Sequence, residues 1–253
     1  MSLLIKNIKK LIQCRTEKIS FVSGEDMSFL PSIDNAYLFV KDGKINDFGK
    51  MQDLKNINTD QVIDAKGRMV LPSWCDSHTH IVFSGNRSKE FIDRIKGLSY
   101  EEIAARGGGI LNSAKLLQNT SKEDLYNQSK MRIESVIRQG TGAIEIKSGY
   151  GLTFESELKM LQVIKEIKEN SKMQVKSTFL GAHACPNEFK DDKEGYIDLV
   201  LQKMLPEFSK NNLIDFIDVF CEKGYFSTDD TERIVKQGLK HNTRSKIHVN
   251  QFN

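Results

Sequence analysis

From residue 70 onward, apolar segments that predict strands alternate with amphipathic segments that predict helices. The predicted strands end near residues 80, 147, 182, 221 and 249. Later repeats of roughly 27 to 39 residues are typical of the βα units that build a parallel sheet. Right-handed crossovers curl such a series into a (β/α) barrel, which closes with eight strands. Because about five strands are present, the sequence predicts an incomplete TIM-type (β/α)8 barrel of the α/β class over residues 69–253.

The residues before these repeats have a different pattern. Residues 1–68 contain short apolar runs and turns, and the stretch 36–45 holds two apolar runs joined by Asp42-Gly43. An Asp-Gly pair between two such runs is a strong signal for a β-hairpin. We therefore predict a small β-rich domain at residues 1–68, followed by the barrel domain.

Composition and charge exclude several classes of protein. The 37 Lys and Arg residues nearly balance the 34 Asp and Glu residues, so the net charge of +3 predicts no nucleic-acid partner. The sequence has no apolar run of about 18 residues, and its N-terminus lacks the apolar core of a signal peptide. The four cysteines are scattered without a Cys-x-x-Cys pair. We therefore expect a cytoplasmic protein that has no disulfides and no membrane partner.

Four of the five histidines fall at or just after the C-terminal end of a predicted strand: His78, His80, His183 and His248. That end of a (β/α) barrel is where active sites are built. His78 and His80 are two residues apart on one strand, so their imidazoles point to the same face. Histidine is the commonest protein ligand of transition metals. We therefore predict that His78, His80 and His248 hold a metal, in preference to three satisfied structural histidines.

Other residues at the strand ends each allow two interpretations. Arg87 could bind a substrate carboxylate through its planar guanidinium, although by itself it reads as a surface arginine. Tyr150 lies in a Gly-Tyr-Gly loop, where glycines let the backbone approach a ligand, but it could instead pack on the loop. Glu222 could line the site or lie on the surface. A carboxylated Lys147 could bridge two metals, and the pattern favours one metal.

Six segments carry a resemblance to a known family: residues 72–83, 107–110, 145–152, 178–183, 218–222 and 246–251. The chain resembles the amidohydrolase superfamily and, within it, the imidazolonepropionases. The segments occur in the family's order and cover essentially the whole chain. The His-x-His pair marks only the superfamily, whereas segments 145–152 and 178–183 are far more specific.

The resemblance implies a metal-dependent hydrolase of histidine degradation. Its barrel would carry a small β-sandwich built from both chain ends. The reaction would be hydrolysis of the cyclic amide C–N bond of 4-imidazolone-5-propanoate to N-formimino-L-glutamate. One Zn²⁺ or Fe³⁺ ion would be held by His78, His80, His248 and an aspartate of the eighth strand.

Further residues match the family's substrate-contacting positions: Arg87, Tyr150, His183 and Gln251. Arg87 would bind the propanoate tail, and His183 would also be catalytic, by polarising the carbonyl. Some members carry Glu where this chain has Gln251. Because a glutamine cannot act as a general base, Gln251 would only orient substrate or water.

The resemblance extends only to Asn253, so the eighth-strand aspartate and a further catalytic histidine lie beyond it. Five barrel strands leave sheet edges unpaired, and we expect residues 1–253 by themselves to be inactive. Two alternatives stay open: another metal-dependent amidohydrolase such as a deaminase, or a truncated chain that only binds metal. A homodimer is the state we consider for the full-length protein, with a small-molecule substrate as its partner.

Overall fold

The structure, a computed structural model, describes residues 1–86, 88–99, 102 and 108–251. The chain divides into two compact units, Met1–Ser73 and Trp74–Asn253. Ser99 and Glu102 have the spacing of a capping box and predict a short helix over residues 100–106, which, except for Glu102, lies outside the described residues. None of the helices in the described part of the chain is long and apolar enough to cross a membrane.

The N-terminal unit contains one mixed sheet of five strands: β1 (Ser2–Ile12), β2 (Ser32–Lys41), β3 (Lys44–Lys50), β4 (Gln61–Asp64) and β5 (Met69–Val70). The order is β3-β2-β1-β4, and β5 also pairs with β1. The hairpin predicted around Asp42-Gly43 is confirmed as the β2–β3 connection. The second sheet of the predicted β-sandwich is not among the described residues of this unit, so the sandwich stays a prediction.

Strand β1 is longer than its sequence pattern indicates. The sequence predicts two brief apolar runs around Leu4 and Leu11, whereas the structure has a single eleven-residue strand. A register shift between Ile5 and Ile8 explains the difference, because Asn7 takes a φ of 55° there. Such a bulge interrupts the alternation of apolar and polar residues from which a continuous strand would be predicted.

The C-terminal unit is built on a parallel five-stranded sheet: β6 (Trp74–Thr79), β7 (Thr141–Lys147), β8 (Gln174–Ala182), β9 (Phe216–Phe220) and β10 (Arg244–His248). The strands lie in chain order, so each pairs with the strand that follows it. This is the arrangement of a (β/α) barrel with part of its circumference present. The predicted fold class is confirmed.

In the part of this unit that the structure describes, seven α-helical segments connect or follow these strands: α1 (Ser88–Ile95), α2 (Gly109–Gln118), α3 (Lys122–Arg138), α4 (Phe154–Asn170), α5 (Lys193–Asp198), α6 (Leu205–Lys210) and α7 (Thr228–Lys240). The sequence predicts a helix over residues 121–138 with Ser121 as its N-cap. The N-cap is present, since the Ser121 side chain accepts the N–H of Asp124. Ser227 forms a full capping box with Asp230. Helix α1 was not predicted, because eight residues give too short a period to recognise.

The sequence predicts a helix over residues 196–209 that is interrupted or ended near Pro206, and the structure has the first of these two outcomes. The helix runs from α5 through a π-helical turn, Leu199–Met204, into α6. Proline lacks an N–H and clashes with the carbonyl four residues earlier in a regular α-helix. The wider π turn shifts the bonding pattern before the proline, so the helix continues.

The core of this unit lies between the sheet and its helices. Ile146, Phe179 and Val219, on the three central strands, are fully buried. By contrast, Trp74 and Ile247, on the two edge strands, are 63% and 45% exposed. Full burial of one large apolar side chain is worth about 1.5–3 kcal/mol. The central strands therefore form the stable platform from which residues at the strand ends project.

Candidate metal and substrate site

Three histidines converge at one end of the parallel sheet. The metal-binding atoms of His78, His80 and His248 all lie within 4.8 Å of one another. The ring centroids of His78 and His248 are 4.5 Å apart, and those of His78 and His80 are 5.4 Å apart. This is the trio that the sequence predicted as metal ligands, and the structure brings it together.

The curvature of the sheet explains how residues so distant in sequence meet. His78 lies on β6 with His80 just past its end, whereas His248 ends β10, the strand at the opposite edge. Lys246 of β10 reaches across and donates a hydrogen bond of 2.9 Å to the backbone carbonyl of Ser77. The Thr79 hydroxyl donates at 2.6 Å to the carbonyl of Glu145 and fixes the end of β6 on β7.

The protonation state of these rings suits a metal. Burial, together with the neighbouring His183 and His248, lowers the pKa of His80 to about 3. Burial and the charge of Lys147 also lower the pKa of His78. Both rings are therefore neutral at pH 7 and have a lone pair to donate. His80 Nδ1 is buried without a hydrogen-bond partner among the described residues, so this nitrogen fits a metal-ligand role.

A network of buried charges lies behind the histidine trio. Asp218 Oδ2 is 2.8 Å from His248 Nδ1 and 2.8 Å from Lys147 Nζ. Lys147 Nζ is also 2.7 Å from Glu145 Oε1, which accepts a further hydrogen bond from Thr178. Burial raises the pKa of Asp218, but His248 and Lys147 outweigh it and bring the pKa to about 2. Asp218 is thus an anion that can orient His248, as carboxylates behind metal-binding histidines do.

The same network bears on the number of metals. The ammonium group of Lys147 donates to two carboxylates, and its side chain is 1% exposed. A bridging role would need this nitrogen to lose its charge and carry a carboxyl group instead. The ion pairs therefore favour one metal over two. The sequence signal for this network is the presence of Glu145, Lys147 and Asp218 inside otherwise apolar strands.

The histidine trio faces a cavity of about 400 Å³, a size suited to a small molecule. The cavity is lined by three of the predicted substrate-contacting residues and by four others: Tyr150, His183, Gln251, Arg94, Ile110, Phe220 and Tyr225. Arg87, predicted to bind the substrate tail, lies outside the described residues. Arg94, on α1, was not predicted, because nothing in its sequence context distinguishes it from a surface arginine.

His183 is held in one orientation beside the trio. Its ring stacks on His80 with centroids 5.5 Å apart, and its Nδ1 is 2.8 Å from the carbonyl oxygen of Gly149. A carbonyl can only accept, so Nδ1 carries the proton and Nε2 is the remaining nitrogen. Tyr150 lies next to both rings, 5.4 Å from His183 and 5.6 Å from His80 between centroids.

The sequence left two positions open for Glu222, lining the site or lying on the surface. The structure excludes the surface position. Glu222 is 8% exposed, and its carboxylate accepts the backbone N–H of Gln251. Through this bond Glu222 fixes the backbone that carries Gln251 at the edge of the cavity. Among the described residues, Glu222 therefore orients the backbone of Gln251.

Comparisons with known proteins give relatives that match this chain over its whole length. The chain is 60% identical over 253 residues to an imidazolonepropionase of Flavobacterium johnsoniae, covering all of this chain and 62% of the relative. It is 39% identical over 255 residues to an imidazolonepropionase of Geobacillus thermodenitrificans, covering 99% of this chain and 60% of the relative. The chain thus spans about three fifths of the length of the curated relatives it matches. No family model matches it.

Solved structures share the fold at low sequence identity. Guanine deaminase of E. coli superposes with a TM-score of 0.64 at 15% identity, covering 98% of this chain and 53% of that one. A mutant atrazine chlorohydrolase of Arthrobacter aurescens, complexed with zinc and atraton, gives a TM-score of 0.58 at 12% identity, covering 99% and 53%. The chain is therefore similar along its whole length to the imidazolonepropionases and shares its fold with these two solved structures.

Proposed function

We propose that this protein hydrolyses the cyclic amide C–N bond of 4-imidazolone-5-propanoate, giving N-formimino-L-glutamate in histidine degradation. The observation that carries the proposal is the 60% identity over 253 residues to a relative named imidazolonepropionase. The cavity supports it independently, because His78, His80 and His248 face a space of small-molecule size. Residence in the cytoplasm and a homodimeric full-length form are proposals from the sequence.

We propose that one Zn²⁺ or iron ion is held by His78, His80 and His248. The buried Nδ1 of His80, which has no hydrogen-bond partner among the described residues, and the neutral rings of His78 and His80 fit a transition metal. When bound, the ion supplies Lewis acidity at neutral pH, which hydrolysis of a ring C–N bond requires. The zinc in the complex of the mutant atrazine chlorohydrolase, which shares this fold, supports zinc as the first metal to test.

We propose that His183 contacts the substrate carbonyl through Nε2. Because Nδ1 donates to Gly149, the ring can polarise a carbonyl only when Nε2 also carries a proton. Tyr150 lies against His183 and His80, where it can orient the imidazolone ring. Phe220 and Tyr225, with ring centroids 4.6 Å apart, give the cavity an apolar wall that limits water.

The function is tested with the purified full-length protein loaded with zinc or with iron. We expect turnover of 4-imidazolone-5-propanoate and formation of N-formimino-L-glutamate, measured by loss of substrate absorbance and by mass spectrometry. Guanine is the matched comparison, since it is an uncharged heterocycle and a guanine deaminase shares this fold. Turnover of guanine without turnover of 4-imidazolone-5-propanoate would overturn the proposal in favour of a deaminase.

The substrate tail gives a more specific prediction. A propanoate carboxylate needs a cation, and we propose Arg87 for this role. Arg87→Met is then expected to raise KM strongly, with a loss of roughly 2–5 kcal/mol for a desolvated charge pair. Steady-state kinetics on the full-length protein measure the effect.

Arg94→Met is the matched comparison for Arg87→Met, because Arg94 also lines the cavity and its side chain is exposed. We expect a KM for this variant within a few-fold of the unmodified protein. An unchanged KM in Arg87→Met with a strongly raised KM in Arg94→Met would reassign the tail to Arg94. If neither value changed, the carboxylate would not be bound by either arginine.

A further inference from the structure

In the loop that follows β7, backbone N–H groups of residues 149–152 donate hydrogen bonds to one buried carboxylate. Glu157, near the start of α4, is fully buried, and its Oε1 accepts the backbone N–H groups of Gly151 at 2.7 Å and Leu152 at 3.0 Å. Its Oε2 accepts the N–H of Gly149 at 3.0 Å. The carboxylate therefore bonds the backbone on both sides of Tyr150.

The glycines of this loop serve the close approach to Glu157 and β8. A Cβ on Gly151 would lie 2.5 Å from the backbone nitrogen of Glu157. Gly149 has a φ of +104°, and a Cβ there would lie 2.8 Å from the carbonyl oxygen of Leu180. The sequence suggested that these glycines let the backbone approach a ligand. The structure shows that the approach is to the protein's own carboxylate and to a neighbouring strand.

The same loop connects Glu157 to two side chains of the cavity. Gly149 donates its N–H to Glu157 and accepts the Nδ1–H of His183 through its carbonyl. Tyr150, between the two glycines, places its ring 5.4 Å from that of His183. Glu157 lies outside the set of residues that line this cavity. Its influence on the cavity therefore passes through the backbone of the loop.

We propose that Glu157 is a positioning residue, which sets the placement of Tyr150 and His183 for substrate binding through the backbone of residues 149–152. The proposal rests on the proposed function, in which those two side chains contact the substrate. It assigns a task to a buried acid that neither the metal nor the substrate uses.

The chemistry of the contact explains why the residue is Glu. Both oxygens of the carboxylate accept N–H groups, so the NH2 of a glutamine would face a donor at one of them. Burial raises the pKa of Glu157, whereas hydrogen bonds from Ser148 and from the loop backbone act in the opposite direction. An aspartate would be one methylene too short to keep all of these bonds.

The main test is Glu157→Gln in the full-length, metal-loaded protein. We expect kcat/KM for 4-imidazolone-5-propanoate to fall roughly tenfold or more, the effect of losing about one charge-assisted hydrogen bond. Metal content should stay near that of the unmodified protein, because Glu157 does not contact His78, His80 or His248. Glu155→Gln is the matched control, since it makes the same change at an exposed position of the same helix.

A double-mutant cycle separates positioning from a purely structural role. If Glu157 acts through His183, adding Glu157→Gln to His183→Ala should cost a smaller fold-loss in substrate affinity than adding it to the unmodified protein. Equal losses in both backgrounds would overturn the proposal. Calorimetric binding of the substrate or its product serves as the readout if His183→Ala has no measurable turnover.

A substrate-free measurement distinguishes this proposal from the proposed function. With ¹⁵N-labelled histidine, NMR should show a protonated Nδ1 for His183, and this signal is assigned by its loss in His183→Ala. In Glu157→Gln this signal should shift or broaden, and in Glu155→Gln it should not. An unchanged signal in Glu157→Gln would overturn the proposal, whatever the protein hydrolyses. Glu157→Asp provides the same test if the glutamine variant does not fold.

Discussion

Replacing His80 with alanine is expected to weaken zinc binding by more than about 100-fold, because loss of a direct ligand should exceed the 10–100-fold typical of outer-shell changes. His80 has a buried nitrogen, Nδ1, with no hydrogen-bond partner in the described part of the chain. Removing its ring leaves two histidines on opposite edge strands and opens one side of the site. Metal content per chain by mass spectrometry, and zinc affinity by competition with a chelator, measure the effect.

The matched control is His241→Ala, which removes the histidine that lies at the C-terminal end of α7. We expect the unmodified protein and this control to hold close to one metal per chain. His78→Ala should lose the metal as His80→Ala does. Full metal content in His80→Ala would contradict the site. Two metals per chain, with a carboxyl group on Lys147, would contradict the single-metal interpretation.

The second large effect is on stability. Lys147→Met is expected to lower the free energy of unfolding by about 3–5 kcal/mol, the usual cost of removing one partner from a buried ion pair. The reason is that Glu145 and Asp218 would both keep a buried negative charge next to one another. Side-chain exposures of 1% for Lys147, 4% for Glu145 and 1% for Asp218 leave little room for water to compensate. Urea unfolding followed by circular dichroism provides the measurement.

Lys176→Met is the matched control for this stability measurement. Lys176 lies on β8 and pairs with Asp215 at 2.7 Å, but its side chain is 60% exposed. Exposed ion pairs are typically worth about 0–1 kcal/mol, so this variant should unfold almost as the unmodified protein does. If both variants lost the same stability, burial would not be the source of the effect. If Lys147→Met were instead more stable than the unmodified protein, Glu145 and Asp218 would have to be protonated when the lysine is absent.

The sequence predicts the strands and the positions of the histidines well, because both follow from residues that are close together in the sequence. The strands around Ile146, Phe179 and Val219 are short apolar runs, and the polar residue after each run marks the end of a strand. The rule that active sites lie at the carboxyl ends of parallel strands then groups His78, His80 and His248 without any coordinates. Both inferences use only neighbouring residues and the chirality of the βαβ unit.

The features that the sequence could not predict depend on how the strands are placed in the sheet and on the π-helical turn before Pro206. The contact of Lys147 with Asp218 requires β7 and β9 to be placed on either side of β8, which no local pattern encodes. The continuation of a helix through Pro206 depends on a π turn formed before it. Glu157 gives no sequence signal, because an acid in the first turns of a helix is usually explained by the helix dipole.

The histidine trio also has a mechanical consequence, because its members come from the two edges of an open sheet. Ser77 on β6 and Lys246 on β10, which contact each other beside the trio, are 169 residues apart in the chain. A metal bound to His78, His80 and His248 would act as a cross-link between the first and last strands. Closing so long a loop restricts the unfolded chain, and ligand binding to the folded state adds stability in proportion to RT ln(1 + [L]/Kd). The ion that provides the chemistry would thus also hold the curvature of the sheet, and the supply of metal would set how firmly β6 and β10 stay together.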